Sequence, residues 1–291
     1  MAGETPSLRR RLARHGGGWL ALQLVLSGSL LLLFLLPLAA LFTYAPVSLI
    51  ASAARDAGVR AAIWVTFLTS GIAVLVAVLL GIPLGYLLAR RSFRGREVVE
   101  SLVTLPVVVP HLLVGLGLFF LVLPGAPLYR FTQALGLPVY DTIWGVVAVM
   151  VFVSAPYTVL ASQLSFRGVD ERVMEAARSL GAGSATAFLT VTLPIALRGI
   201  IAGLLLSWAR AVSEIGGLLV LAYAVYPSGP YNGPVTSTVS VYIYNLFQLG
   251  DLADAAAVSS LFLIIAFALF VLVRLGERYG WLPWRRGELA P

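Results

Sequence analysis

One stretch of this sequence sets two opposite charges in an otherwise apolar setting: Trp208-Ala209-Arg210-Ala211-Val212-Ser213-Glu214-Ile215-Gly216-Gly217. Arg210 and Glu214 stand at i, i+4, so on a helix they share a face and can pair. Left alone in hydrocarbon, an arginine costs about 2.5–3.5 kcal/mol on insertion scales. Two readings of the pair stand. It lines or stabilises a gate, with Ser213 and Gly216 beside it, or it is a buried ion pair that fixes helix packing. Direct coordination of an anion by Arg210 is disfavoured, because Glu214 already neutralises it. A second stretch, Leu105-Pro106-Val107-Val108-Val109-Pro110-His111, carries two prolines and a histidine. Pro106 and Pro110 are expected to break or kink a helix, freeing backbone groups that can line a passage. Plain helix packing explains them as well. His111 contacts an anion there or is merely hydrogen-bonded.

No other chemistry is on offer. The chain has no cysteine and, its 20 basic residues all being arginine, no lysine. That removes thiol nucleophiles and thiolate metal sites. It also removes the lysine that a Walker A loop needs for the β- and γ-phosphates. His15 and His111 lie in unrelated segments and form no His-x-x-x-His zinc pair. No Gly-x-Ser-x-Gly elbow occurs. If ATP drives this protein, another chain hydrolyses it.

The elements that position these residues are membrane helices. Of 291 residues 59% are hydrophobic and 11% charged, against roughly 25% charged in a soluble domain; mean hydropathy is +0.94. Six runs approach the ~20 apolar residues that span a bilayer: Trp19–Tyr44, Ala61–Ala89, Leu102–Leu123, Thr142–Gln163, Gly199–Tyr223 and Ala255–Val273. Gly81-Ile-Pro-Leu-Gly85 should bend the second. Gly199-Ile-Ile-Ala-Gly203 offers a small-residue face for close helix contact. The net charge of +7 is spread in arginine clusters between the runs, which speaks against a nucleic-acid footprint. Taking alternate sides, one holds Arg9, Arg10, Arg11, Arg14, Arg90, Arg91, Arg94, Arg96, Arg167, Arg172, Arg178, Arg198, Arg274, Arg278, Arg285 and Arg286. The other holds only Arg55, Arg60 and Arg130. The positive-inside rule therefore predicts both termini in the cytoplasm. The first apolar run exceeds a signal-peptide h-region, so it reads as a retained helix. The outer segments Pro124–Asp141 and Val225–Asp254, rich in Gly, Pro, Tyr and Asn, read as loops.

The longest cytoplasmic segment, about Leu164 to Arg198, has its own pattern. Asp170 is a candidate N-cap, and Val173, Met174, Ala177 and Leu180 fall at helical spacing. Gly181 suits a helix stop. A second short helix is expected from about Ser184 to Thr192, with Pro194 marking entry to the fifth span. Small residues at Ala176 and Ala177 permit close approach of another protein, whereas an interfacial helix favours a basic face with large anchors.

Glu175-Ala176-Ala177, Gly181, then Val191-Thr192-Leu193-Pro194 resembles the EAA loop of ABC-importer permeases, with Val where the family usually has Ile. The resemblance covers essentially the whole chain, since six spans with this loop between the fourth and fifth is the type I importer layout. The span-three and span-five stretches resemble those of molybdate/tungstate permeases, with sulfate permeases as near relatives and Ile215 where Phe is usual. The resemblance implies an all-α membrane protein with six transmembrane helices. Its parts would be a cytoplasmic tail (1–18), a first helix and outer loop (19–60), a core (61–273) holding the coupling loop (164–198), and a second tail (274–291). It implies ATPase coupling through Glu175, Ala176, Ala177, Gly181, Leu193 and Pro194. It implies a path or gate at Pro106, Pro110, His111, Arg210, Ser213, Glu214 and Gly216. The implied partners are a second copy of the chain, two ATPase subunits carrying ATP and magnesium, and an extracytoplasmic oxyanion-binding protein; no cofactor or metal is expected in this chain. A secondary transporter would show inverted repeats and a channel a filter motif; neither pattern is present.

Overall fold

In hydrocarbon every backbone polar group must be satisfied internally, so long apolar runs fold as helices. The computed structural model describes residues 8–226 and 234–278. The expected tail ends, residues 1–7 and 279–291, and the outer-loop stretch 227–233 lie outside the described residues. Helix α1 (Leu8–Tyr44) is followed by a short α2 (Val47–Ala53) and the long α3 (Ala57–Arg90). Then come α4 (Arg96–Val108), α5 (His111–Val122), α6 (Tyr129–Ala134), α7 (Ile143–Arg167), α8 (Glu171–Ser179) and α9 (Ser184–Ala187). The last four are α10 (Leu193–Val212), α11 (Leu218–Leu221), α12 (Val239–Gln248) and α13 (Leu252–Arg278). Among the described residues the extended chain contributes only one isolated antiparallel bridge, Val225 with Thr236.

Five helices are long and apolar enough to cross a membrane: Gly18–Tyr44, α3, α7, the continuous stretch Ser184–Val212, and Leu252–Val273. The expected third span is not one helix. α4 and α5 meet at a 110° bend. Pro110 pushes the preceding residue out of the helical region, and Val109 accordingly sits at φ −70°, ψ 132°. By length and composition the pair counts as a sixth candidate span only when taken together. Glu100 near its start touches Arg167 at the arginine-rich end, and Phe119 near its finish packs on Tyr140 in the outer segment. The described residues thus hold five candidate spans, or six with the bent pair counted as one.

Three further expectations are corrected. The fifth span does not run as a helix to Tyr223: α10 stops at Val212 and a four-residue helix resumes at Leu218. Pro194 does not separate a short helix from that span. A π-turn over Phe188–Thr192 joins α9 to α10, a wider ladder that suits a proline at the second position of α10, where an α-helical donor would be missing. Gly81-Ile-Pro-Leu-Gly85, where a bend is expected, leaves α3 uninterrupted, the helix running on through Pro83. The segment Val225–Asp254 contains α12, whose amphipathic ten residues are concealed by the turn-rich composition around them.

The bundle is built around α7, clasped on two sides. α3 turns Ala73, Ala77, Gly81 and Gly85 inward; a Cβ on Gly85 would stand 2.6 Å from the Ser162 Cβ and 2.9 Å from the Val159 carbonyl oxygen. The Gly199–Gly203 face of α10 meets α7 as expected, at Ser165 and Ala161. Small residues let backbones approach where lipid offers no hydrophobic driving force. Polar ties are few: Trp208 Nε1 donates to Ser70 Oγ (3.2 Å), and Ser207 Oγ to the Ser154 carbonyl (2.9 Å). α1, by contrast, buries none of its apolar window and offers it to lipid or to another chain.

Candidate functional site

Two broken spans face each other at the first site. α5 begins with His111 just past the Pro110 break; α10 ends at Val212 and the chain turns through Ser213–Gly217. Glu214 is thus two residues beyond the helix rather than on its face, and its carboxylate folds back to Arg210. Nη2 of Arg210 donates to Glu214 Oε2 at 2.6 Å. The other carboxylate oxygen accepts the Gly217 N–H at 2.8 Å. Glu214 is 1% exposed, Arg210 17%, so the acid is enclosed and the guanidinium reaches the open side. His111 closes the group: Arg210 Nη2 lies 2.7 Å from Nδ1 and 2.8 Å from Nε2, and Nδ1 is 3.7 Å from Glu214 Oε2. Ser213 Oγ accepts a long 3.4 Å bond from Arg210 Nη1.

The two breaks are pressed together by glycines. A Cβ on Gly115 would collide with the Gly217 backbone, and one on Gly216 would stand 3.0 Å from the His111 Cβ. Sequence reasoning misses Gly115, because a glycine in an apolar run carries no signal until its partner is known. Of the path residues, His111, Arg210, Ser213, Glu214 and Gly216 come together; Pro110 shapes the break, and Pro106 lies inside α4 one turn away.

Toward the outer side the turn continues into α11 and a clasp on the preceding loop. Asp141, at φ 50°, donates its N–H to the Leu221 carbonyl and accepts Tyr226 N–H on its own carbonyl. Its carboxylate faces Ala224 N–H at 3.4 Å. Burial pushes this carboxyl above its ordinary range, opposed by the Ala224, Tyr140 and Tyr223 donors.

The second site is the cytoplasmic elbow. Asp170 caps α8, accepting the Arg172 N–H at 3.0 Å, and Gly181 takes φ +91°, the left-handed conformation that glycine adopts without Cβ strain. The expected apolar face is split. Met174 alone is buried, while Val173 and Leu180 are 43% and 90% exposed. Met174 Sδ receives Tyr86 Oη at 3.9 Å and Thr192 Oγ1 at 3.6 Å, and the Phe166 and Phe188 rings pack edge to face on Tyr86 at 4.7–5.1 Å. Arg90, the last residue of α3, ties down the start of α8. It donates 2.6 Å to the Val169 carbonyl and 3.2 Å to Glu171. Glu175, Ala176 and Gly181 remain exposed, Leu193 and Pro194 begin α10, and Ala177 is half-buried.

An elbow of this form below a bundle of broken spans defines a class. The chain belongs to the family of binding-protein-dependent transport system inner membrane components, whose model matches residues 81–278. It is a multi-pass membrane permease of an ABC importer. It is 36% identical over 228 residues, 78% of this chain and 83% of the other, to the molybdate/tungstate transport system permease protein of Thermococcus kodakarensis. It is 40% identical over 210 residues, 72% and 76%, to a probable molybdenum ABC transporter permease protein of Haloferax volcanii. The fold matches a crystallised bacterial alginate ABC transporter bound to its alginate-loaded periplasmic protein, with TM-score 0.70, 19% identity, and 94% and 97% of the two chains covered.

Proposed function

We propose that this permease moves a tetrahedral oxyanion, molybdate or tungstate, from an extracytoplasmic binding protein into the cytoplasm. The observation that carries the substrate is the 36–40% identity to permeases named for those anions. The site is compatible with it. A dianion needs a passage that does not trap it, and Arg210 neutralised by Glu214 offers polarity without a deep well.

In this reading the path lies between two copies of the chain, and two ATPase subunits below carry ATP and magnesium. The exposed Val173 and Leu180, with Glu175 between them, face the cytoplasm as a docking surface for those subunits. ATP closure moves the elbows, and the His111–Arg210–Glu214 group separates or closes as the two states exchange. Selectivity resides in the binding protein, whose buried hydrogen bonds discriminate between anions. The permease contributes differential stability of two states.

The test is uptake by proteoliposomes holding the complete complex, offered labelled molybdate, tungstate, sulfate and an amino acid. Molybdate or tungstate uptake that depends on ATP and on the binding protein is expected. Uptake of sulfate alone would move the assignment to the neighbouring anion class; uptake of the amino acid alone would remove the oxyanion assignment and leave the importer standing. Glu175→Ala and Gly181→Asp should insert normally yet lose binding-protein-stimulated ATP hydrolysis. Unchanged hydrolysis and transport in both would end the docking role.

A further inference from the structure

The coupling elbow and the gate lie at opposite ends of a helix that neither uses directly. α4 buries no residue completely, so packing does little to hold it in one place. Two side-chain hydrogen bonds reach it from α7, and both end on one atom, Glu100 Oε1. Gln163 Nε2 donates at 2.5 Å and Arg167 Nη2 at 3.0 Å, while Arg96 Nε, a turn earlier on α4, adds a third at 3.2 Å. Gln163 is buried. Arg167 is the last residue of α7, three residues before the cap of α8. From Glu100 the helix runs about 12 Å to Val108, at 1.5 Å per residue. There it meets the Pro110 break and His111, which contacts Arg210.

We propose that Glu100 is a positioning residue that pins the root of the coupling elbow to α4, and that α4 acts as the lever that moves His111 against the Arg210–Glu214 pair. α4 is tied to α7 at Glu100, and its other end leads through the Val109–Pro110 break directly into His111, so a displacement of the tied end is passed to the start of α5. α3, the other helix tied to the elbow through Arg90, is embedded along α7 by its small-residue face and is poorly placed to move alone. The proposal rests on the coupling and gate readings above.

The experiment uses the complete complex with its ATPase, a molybdate-loaded binding protein, and molybdate as probe. Glu100→Gln keeps size and one acceptor but loses the charge that holds Arg167. Stimulated ATP hydrolysis should persist while molybdate moved per ATP falls about tenfold, within the range of typical coupling free energies. The exchange Glu100→Arg with Arg167→Glu should recover most of that ratio, which a residue needed only for folding would not. A Ser213→Cys reporter in this cysteine-free chain gives a direct readout of the gate. Its ATP-dependent change in labelling should vanish with Glu100→Gln. An unchanged transport-to-hydrolysis ratio would overturn the proposal, as would equal loss of transport and hydrolysis. Uncoupling by Arg90→Gln but not by Glu100→Gln would assign the lever to α3 instead. If Gly181→Asp in the same assay leaves stimulation intact, it is the coupling reading that has failed.

Discussion

Two proline-bearing apolar runs in this protein end in opposite states. α3 carries Pro83 and continues for 34 residues; the run containing Pro106 and Pro110 breaks into α4 and α5 at 110°. The lost hydrogen bond is similar in both. The difference is what lies alongside. α3 has buried residues from Val59 to Leu88, and Gly81 and Gly85 on either side of Pro83 bring its backbone against α7, so packing holds the helix through the defect. α4 has no buried residue to do this, and Pro110 also forbids helical geometry at Val109. The broken ends are then retained by specific contacts, Gly115 on Gly217 and His111 on Arg210. A proline therefore marks a place where packing decides, and the less packed run is the one that breaks.

The contrast can be broken most severely at Gly115. Gly115→Leu drives a side chain into the Gly217 backbone, where overpacking costs about 1–3 kcal/mol or more. Loss of monodisperse protein or a large drop in Tm in detergent is expected. Gly117→Leu, whose Cβ would meet nothing within 4 Å, should leave Tm nearly unchanged; equal losses would deny that the two breaks are pressed together.

Next in size is the ion pair. Arg210→Met strands a carboxylate that is 1% exposed, a loss of about 3–5 kcal/mol for a buried pair deprived of one partner. Arg210→Met combined with Glu214→Gln should be the more stable of the two variants. Additive losses in the double-mutant cycle would mean that the residues do not interact.

The prolines themselves come third. Pro83→Ala should raise Tm slightly or not at all and leave transport alone. Pro110→Ala relaxes the restriction on Val109 and should cut uptake about tenfold, ~1.4 kcal/mol, by drawing His111 off Arg210. Equal effects of the two substitutions on uptake would erase the distinction between the runs.

The smallest effect concerns the outer clasp. The Asp141 carboxyl is raised by burial, so the folded chain holds its proton more tightly than the unfolded one. Its contribution to stability must then decline as pH rises from the ordinary carboxylate value through the folded one. Asp141→Asn, which tolerates φ 50°, should flatten that part of the Tm-versus-pH curve above about pH 4. A curve identical to that of the parent chain would exclude the effect.

Composition and short-range spacing carry a large share of this protein's design. The long apolar runs, matched to hydrocarbon thickness, determine a membrane-embedded chain, and the sequence holds no lysine for a Walker A loop. The cap at Asp170, the turn at Gly181, the Gly199–Gly203 contact and the pairing of Arg210 with Glu214 act within a few residues or along one helical face, so spacing alone reveals them. What the sequence leaves open depends on residues far apart in the chain. His111 and Arg210 are 99 positions apart, Glu100 and Arg167 are 67, and Arg90 and Glu171 are 81. Their meeting is set by how α3, α4 and α10 lie against α7, not by anything local to either partner. The same holds for the early end of α10, where the Gly115–Gly217 contact needs the chain to leave the helix at Ser213. An isolated apolar run has no reason to stop there; only a neighbour's backbone at van der Waals distance supplies one.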